Sequence, residues 1–473
     1  MRRVALLALA LLLVLSVPPA LFAQAGKPDA AIQKIVSEIS SEKVGEYMKK
    51  LGSFGTRGNF TDPAQTNQGI GAARRWIYDQ FRSFSPRLDV SFDPYKVQKE
   101  GRIFRDVEVV NVVAVLPGTT QPEKRLIVSG HYDSLNIVTK PGAGDFRSNG
   151  DGATDSMDNE ASAVAPAPGV GDDASGTAVV MELARVMSQY KFEKTIVFVA
   201  FAGEEIGLVG SSLYADKAKA HGDKIEAVLN NDIVGYDVTG AGRAASGYVN
   251  VFSDEPADST SRELARYVRD CAQLYVPGFG ASPVFRGDRF SRGGDHTPFV
   301  MDGYAGVRFT TPAENLGIQH TKNDTFDKTS PVYAANVARV NGAALASLAL
   351  APPPPVVTRE VTTGANKGRL LPNIGRGKSL YDAVLKWKDE KPAEDLDGYA
   401  IVVRSTTEPF WDHQILVGKV NEYTLQGLSI DDVVIGVKAI DKDGHESLVS
   451  AYVAQPYQRR PIKLQDEATS AQK

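Results

Sequence analysis

The sequence predicts an α/β fold, a mostly parallel (mixed) central sheet with helices on both faces, followed by a C-terminal antiparallel β-sandwich. Three features carry this expectation. Short, nearly continuous apolar runs alternate with helix-period segments as far as Leu350, a run of prolines follows Ala351, and beyond it short alternating strands are separated by turn signals.

The first residues, MRRVALLALALLLVLSVPPALFAQA, set two arginines before an apolar stretch that closes in the small-residue pattern Ala23-Gln24-Ala25. This is the layout of a secretory signal peptide cleaved after Ala25, and Pro18 and Pro19 count against an uncleaved anchor. No later segment approaches the ~20 apolar residues of a membrane span, so an exported chain, periplasmic or extracellular, without a stable membrane anchor is expected. A net charge of −4 argues against nucleic acid as a partner. Nothing defines an oligomeric state. Cys271 is the only cysteine, which excludes an intramolecular disulfide, and within ELARYVRDCAQLY it reads as a small buried hydrophobe. The expected divisions are the signal peptide (1–25), a main α/β domain (26–350), a stiff Pro-rich linker (351–374), a sandwich domain (375–460) and a polar tail (461–473).

Residues 30–50 are helical in pattern, and a second helix follows in QGIGAARRWIYDQF. DVSFDPYKV, RDVEVVNVVAVLPG and RLIVSGHYDSL read as strands, and ASGTAVVMELARVMSQ as a helix with apolar residues at 3.6 spacing. KTIVFVAFAGEE is a buried strand, GSSLYADKAKAHG a helix, IEAVLNNDIVGY a strand and PVYAANVARVNGAALASLAL the closing helix. Residues 136–169 are rich in Gly, Ala, Ser, Asn and Asp and read as a long solvated loop; the acidic spacing fits no calcium-loop pattern. After the linker, strands are expected in YDAVLKWKD, DGYAIVVRST, NEYTLQGL, DDVVIGVKAID and HESLVSAYV.

In open α/β sheets the ligand site lies beyond the carboxyl ends of the strands, and metal-competent residues collect at such ends. His131 ends IVSGH, Asp172 lies in the turn before a helix, Glu204 and Glu205 end IVFVAFAGEE, Asp232 ends VLNND, and His320 follows VRFTTPAENLGIQ. Nitrogen and oxygen donors on converging loops are what zinc takes. Singly, each has a plainer reading: His131 as a core histidine, Asp172-Asp173 as a helix N-cap, Asp232 as a turn residue. The glutamate pair resists such a reading, because it directly follows a buried apolar run where ionised groups need a partner or a metal.

These residues fall in GHYDS (130–134), GDDASG (171–176), FAGEEIGLVGS (201–211), NNDIVGY (230–236), GGDHTPF (293–299) and QHTKNDT (319–325). In order and spacing the set resembles the secreted di-zinc aminopeptidases, the co-catalytic zinc exopeptidases of the bacterial leucyl type, and the resemblance covers roughly residues 30–350. The resemblance implies two Zn2+ per chain: Asp172 bridging them, His131 and Asp232 completing one, Glu205 and His320 the other. It implies Glu204 as general base, and Asp133 as the acceptor that orients the His131 imidazole. The implied reaction removes residues from peptide or protein N-termini, with the cations activating a water and Glu204 moving its proton to the leaving amine. Many relatives carry Tyr just before the second histidine ligand; Gln319 stands there here, so Gln319 or a tyrosine elsewhere, such as Tyr304, is expected to stabilise the oxyanion. His296 is expected near the site but outside the metal set, and His221, His413 and His445 read as surface residues.

Three other readings compete. A glutaminyl cyclase shares the scaffold but uses one zinc, and the presence of His131 counts against it. A carboxypeptidase or dipeptidase uses a related scaffold, since metals alone do not choose the end of a peptide. A non-catalytic adhesive ectodomain would have lost ligands or Glu204, and none is lost. Residues 375–455 resemble a fibronectin type III module through Trp387, Tyr399 and Tyr423; a spacer or stabilising role is expected, with Trp411 exposed.

Overall fold

The computed structural model describes residues 28–142, 156–253, 260–286, 292–363, 368–389 and 393–453. The expected signal peptide and polar tail lie outside these residues, as do 143–155 of the expected loop. The chain opens with α1 (Ala30–Ser37), α2 (Ser41–Ser53) and α3 (Gly69–Phe84). Residues 30–50, expected as one helix, divide at Ser40, whose hydroxyl accepts from Lys43 N at 3.2 Å and starts a new helix. Strands β1 (Asp89–Val97), β2 (Val107–Leu116) and β3 (Gln121–His131) follow. The stretch read as a solvated loop contains a helix, α4 (Asn159–Val164), because Asp158 caps it by accepting from Ala161 N. Next come α5 (Ser175–Met187), β4 (Lys194–Phe201), α6 (Val209–His221), β5 (Lys224–Asn231), β6 (Tyr248–Ser253), α7 (Thr260–Tyr275) and β7 (Gly280–Phe285). The domain closes with α8 (Thr297–Met301), β8 (Gly306–Thr310) and α9 (Pro331–Leu350).

The eight strands form one mixed sheet in the order β1-β2-β4-β3-β5-β8-β6-β7. Its centre, β4-β3-β5-β8, is parallel, and its flanks are joined by antiparallel pairs. One face packs on α2, α3, α5, α7 and α9 in the main core, the other on α6 and α8 through Ala215, Ala218 and Phe299. From β3 the chain passes to β4 on one side, and from β4 to β5 on the other side of β3. The carboxyl end of β3 is therefore a topological switch point, where loops diverge and leave a crevice. Helix α5 comes close to it because Gly130 has no side chain: a Cβ there would meet Gly176 C at 2.6 Å. Any side chain at Gly130 would push the first turn of α5 away from His131.

Beyond Ala351 the chain forms β9 (Val356–Val357), β10 (Arg359–Val361), β11 (Leu370–Pro372), β12 (Ile374–Gly375) and β13 (Ala383–Lys388). Strands β14 (Leu396–Ser405), β15 (His413–Gly418), β16 (Glu422–Leu425), β17 (Val433–Asp441) and β18 (Ser450–Ala451) complete it. Two antiparallel sheets, β12-β13-β16 with β9 on β13, and β15-β14-β17-β18, share a core around Trp387 and Tyr399, whose rings meet edge-on at 5.4 Å. The stretch expected as linker is thus partly sandwich, since Val356 and Val357 already pair with β13.

The sandwich is docked on the main domain. Arg266 Nε donates to Pro409 O at 2.7 Å, Trp411 Nε1 to Glu263 Oε2 at 2.8 Å, and Tyr267 hydroxyl to Glu446 O at 3.1 Å. Arg269 lies 3.8 Å from the Phe410 ring centroid. Trp411, expected as exposed, is half-buried in this junction. His445, expected at the surface, is 9% exposed there, with Nδ1 2.8 Å from Asp441 Oδ2 and Nε2 3.4 Å from Asp29 Oδ2 at the start of α1. Neither placement is visible locally, because both depend on how two domains meet. Pro354 to Val357 line a cleft with Lys124, Ile225 and Tyr304, at the amino ends of β3, β5 and β8. The sandwich therefore sits away from the crevice.

Burial disfavours the charged form of His445, but the Asp441 hydrogen bond and the Asp29 field outweigh it and raise its pKa above 6.5. A raised histidine pKa stabilises fully below the free value and loses that contribution as pH rises through the folded one. Asp441, held low by His445 despite burial, bounds the window on the acid side. His445→Gln is expected to cost about 1 kcal/mol near pH 6 and progressively less as pH rises through the raised folded-state pKa. Denaturation of both chains across that range checks this; a constant gap would exclude the ion pair as its source.

Candidate metal centre

Each acidic or imidazole side chain singled out at a strand end points into the crevice. His131 is fully buried at the end of β3. Its Nε2 lies 3.2 Å from Asp172 Oδ1 and 3.8 Å from Asp232 Oδ1. His320 Nε2 lies 3.0 Å from Asp172 Oδ2 and 3.2 Å from Glu205 Oε2. The two oxygens of Asp172 thus face two different histidines. His320 is 32% exposed while His131 is sealed, so the centre meets solvent on the His320 side. His320 holds this position with φ +52, a left-handed conformation that a non-glycine residue keeps only when its surroundings fix it.

Asp133 lies against the ring of the first histidine. His131 Nδ1 lies 3.3 Å from the Asp133 carbonyl and 3.4 Å from its Oδ1. Donation from Nδ1 leaves the Nε2 lone pair free for a cation. Asp133 Oδ2 also accepts from Asn59 Nδ2 at 2.7 Å and from Glu205 N at 3.2 Å, so one carboxylate ties both halves of the centre together.

The neighbouring acids divide their work. Asp173 accepts from Gly176 N at 2.8 Å, in the first turn of α5, and from His131 N and Ile233 N, each at 3.2 Å. The helix-capping role that Asp172-Asp173 suggested belongs to Asp173, and Asp172 is left free to face the histidines. The peptide between them is cis. Asp324, four residues after His320, accepts from Gly171 N at 2.8 Å, Asp172 N at 3.0 Å and Tyr236 hydroxyl at 2.7 Å. It fixes the backbone from which Asp172 projects, a role not read from the sequence although QHTKNDT contains it. Arg308 was missed as well: buried in β8, it sits 3.1 Å from Asp232 Oδ1. A lone arginine in the apolar strand GVRFT was the available signal, since a buried charge needs a partner.

Two expectations fare differently. Gln319 is buried beside His320, and its Nε2 has no acceptor among the described residues. Tyr304 stands at the amino end of β8, its hydroxyl donating to Asp223 O at 3.1 Å, at the opposite edge of the sheet from the crevice. It cannot serve an oxyanion there, because a strand's first residues and last residues emerge on opposite edges. His296 is fully buried at the start of α8, outside the ligand clusters.

The donors fit a divalent metal. Ligand atoms of His131, Asp172 and Glu205 lie within 4.8 Å of one another, as do those of His131, Glu204 and Asp232. His131 Nε2 and Glu205 Oε1 are buried without a hydrogen-bond partner, as atoms reserved for coordination would be. Burial raises the Glu204 pKa well above its usual value; His131 opposes this, while Asp232, Glu205 and Asp295 add to it. Asp295 is pushed up to about 7, mainly by burial. Asp172 is held low, the neighbouring His131 and His320 imidazoles outweighing its burial. Carboxylates crowded this closely repel one another's charge, and a divalent cation among them reverses that field.

Such a donor set at the carboxyl edge of a mixed α/β sheet defines a metal-dependent hydrolase. The pattern described as Peptidase family M28 matches residues 111–345. A probable zinc metalloprotease of Leptosphaeria maculans is 35% identical over 451 residues, 89% of this chain and 96% of its own length. One from Pyricularia oryzae is 34% identical over 89% of this chain and 84% of its own. The chain belongs to peptidase family M28, and it is a metallopeptidase. Among solved structures, the LapA aminopeptidase of Legionella pneumophila matches with TM-score 0.50 and 20% identity, over 68% of this chain and 78% of that one. A glutaminyl cyclase of Macrostomum lignano matches with TM-score 0.51 and 15% identity, over 69% and 95%. One fold carries both, so the fold alone does not select the reaction.

Asp324→Ala would leave two buried N–H groups and the Tyr236 hydroxyl without their acceptor. A loss of about 3 kcal/mol is expected in the metal-free protein. Urea denaturation in the presence of a chelator measures it; a loss below about 1 kcal/mol would mean the three donors find other partners.

Proposed function

We propose that this chain is an exported, two-zinc aminopeptidase that removes residues from the N-termini of peptides. One observation carries the reading: Asp172 directs one oxygen toward His131 and the other toward His320, as a carboxylate shared by two cations would. Asp172, His131 and Asp232 would hold one ion, and Asp172, Glu205 and His320 the other. Zinc, when bound, polarises the scissile carbonyl and acidifies water.

The remaining roles fall to the chain's own groups. Glu204 lies within ligand distance of His131 and Asp232, so proximity alone would also make it a ligand. Two three-residue sets sharing Asp172 are complete without it, and it is the less buried of the glutamate pair. It is therefore assigned as the base that takes the water's proton and delivers it to the leaving amine. Asp133 keeps the His131 ring oriented. Gln319 is assigned as donor to the oxyanion through its unpartnered amide. A free α-amine, which an internal peptide bond lacks, would be held beside the carboxylates and one zinc; this is the basis for exopeptidase action. Export rests on residues 1–25, and the sandwich, read as a fibronectin type III-like module, acts as a stabilising appendage.

The exported chain is expected to hydrolyse aminoacyl-arylamides, to stop when a chelator is added and to recover with zinc. Nα-acetylated substrates should remain intact. Cleavage from the carboxyl terminus, or cyclisation of N-terminal glutamine without hydrolysis, would replace this reading by one of its competitors. Glu204→Gln is expected to keep its zinc by elemental analysis while kcat falls about 10²–10⁴-fold. Undiminished turnover would remove Glu204 from the base role.

A further inference from the structure

Behind the metal centre, in the loop after α2, lies a charged group that the proposed mechanism does not use. Arg57 is fully buried. Its Nε donates to Tyr132 O at 2.6 Å, Nη1 to Pro168 O at 2.5 Å and Leu51 O at 3.2 Å, and Nη2 to Gly169 O at 2.8 Å. Every hydrogen bond its guanidinium makes among the described residues ends on a backbone carbonyl. That is unusual, since a buried guanidinium ordinarily takes a carboxylate.

The carbonyls it joins are informative. Tyr132 stands between His131 and Asp133. Gly169, at φ +51, opens the turn that leads to Asp172, and its carbonyl also accepts from Ala174 N at 3.0 Å. Leu51 lies in the last turn of α2, where the helix dipole favours a cation. The backbone around Arg57 reinforces the same contacts: Arg57 N donates to Ser134 Oγ at 3.0 Å, Ser134 Oγ to Ala167 O at 2.8 Å, and Asn59 to Asp133. Two segments that carry metal donors and that lie far apart in sequence are thus splinted by one side chain.

We infer that Arg57 is a positioning residue of the metal centre, holding the strand end of His131 and the turn of Asp172 in register while facing their carboxylates with a fixed positive charge. The inference rests on the two-metal reading above. The counter-charges are Asp324, Asp133, Asp173 and Asp172; they oppose the effect of burial, which alone would drive the Arg57 pKa further below the about 10 at which it stands, so the group remains charged at neutral pH. A side chain without this fork would take a donor from Tyr132 O and Pro168 O, leave Gly169 O and Leu51 O with only Ala174 N and Phe54 N, and leave the acidic cluster with one fewer cation. A fixed cation also repels incoming zinc, but it acts through space, whereas the splint touches the ligand-bearing segments directly. The positioning effect therefore dominates, and removing Arg57 weakens metal binding.

The test uses Arg57→Lys, which keeps the charge but loses the planar fork, and Arg57→Gln, which loses both. Metal-stripped chains are titrated with zinc against a chromophoric chelator at a temperature where circular dichroism shows them folded. The zinc dissociation constant is expected to rise on the order of 10–100-fold in Arg57→Lys, and further in Arg57→Gln. A purely structural role would lower the melting temperature and leave zinc affinity within twofold of the parent, and that result overturns the inference. Should neither variant fold, the unmutated chain decides: in 15N-arginine NMR the Arg57 Nε–H resonance is expected to shift as zinc is added. A resonance unmoved through full loading overturns the inference equally. A parent chain that takes up no zinc overturns the metal reading itself, and this inference with it.

Discussion

Mutual repulsion among buried carboxylates is the constraint around which this protein is organised. Asp133, Asp172, Asp173, Glu205, Asp232, Asp295 and Asp324 are all buried at one end of the sheet, with Glu204 beside them. In a low-dielectric interior such a cluster cannot carry all its charge unaided. The chain answers in three ways. Some acids are met by backbone N–H groups, as Asp173 and Asp324 are. Fixed cations stand nearby, Arg308 in contact with Asp232 and Arg57 behind the centre. The remaining donors turn toward one another across a gap suited to divalent metal. Cations among these groups would offset that repulsion.

The fold supplies the place for this cluster. Strands β4 and β5 flank β3 on opposite sides, so loops part at its carboxyl end, and a small-residue contact between Gly130 and Gly176 brings the first turn of α5 against His131. The donors come from separate loops, each anchored to a buried strand or helix end. The sandwich docks elsewhere, on α7 and the start of α1, through Trp411, Arg266 and His445. It leaves the crevice open.

Much of this was legible in the sequence. Strand β1 coincides with DVSFDPYKV residue for residue, and the closing helix α9 with its expected span, because period and turn residues act locally. What was misread has non-local causes. The break at Ser40 depends on a single cap within a continuous helical pattern. Strand β15 went unnoticed because HQILVG is short and gains its ladder only by lying along β14. Tyr304 was a candidate for the crevice because sequence does not state at which edge of the sheet a residue emerges. Asp324 and Arg57 were passed over since their partners are backbone groups of distant segments.

The sequence by itself determined the α/β class, the change to an antiparallel domain after the prolines, and the inventory of histidines and carboxylates at strand ends. These follow from hydrophobic period, turn chemistry and the cost of burying a charge, all properties of neighbouring residues. Only the tertiary structure decided which oxygen of Asp172 faces which histidine, that Asp173 rather than Asp172 serves α5, and that Arg57 and Asp324 hold the surrounding backbone. Those outcomes depend on ångström distances between segments that are remote along the chain, and local preference does not encode such distances.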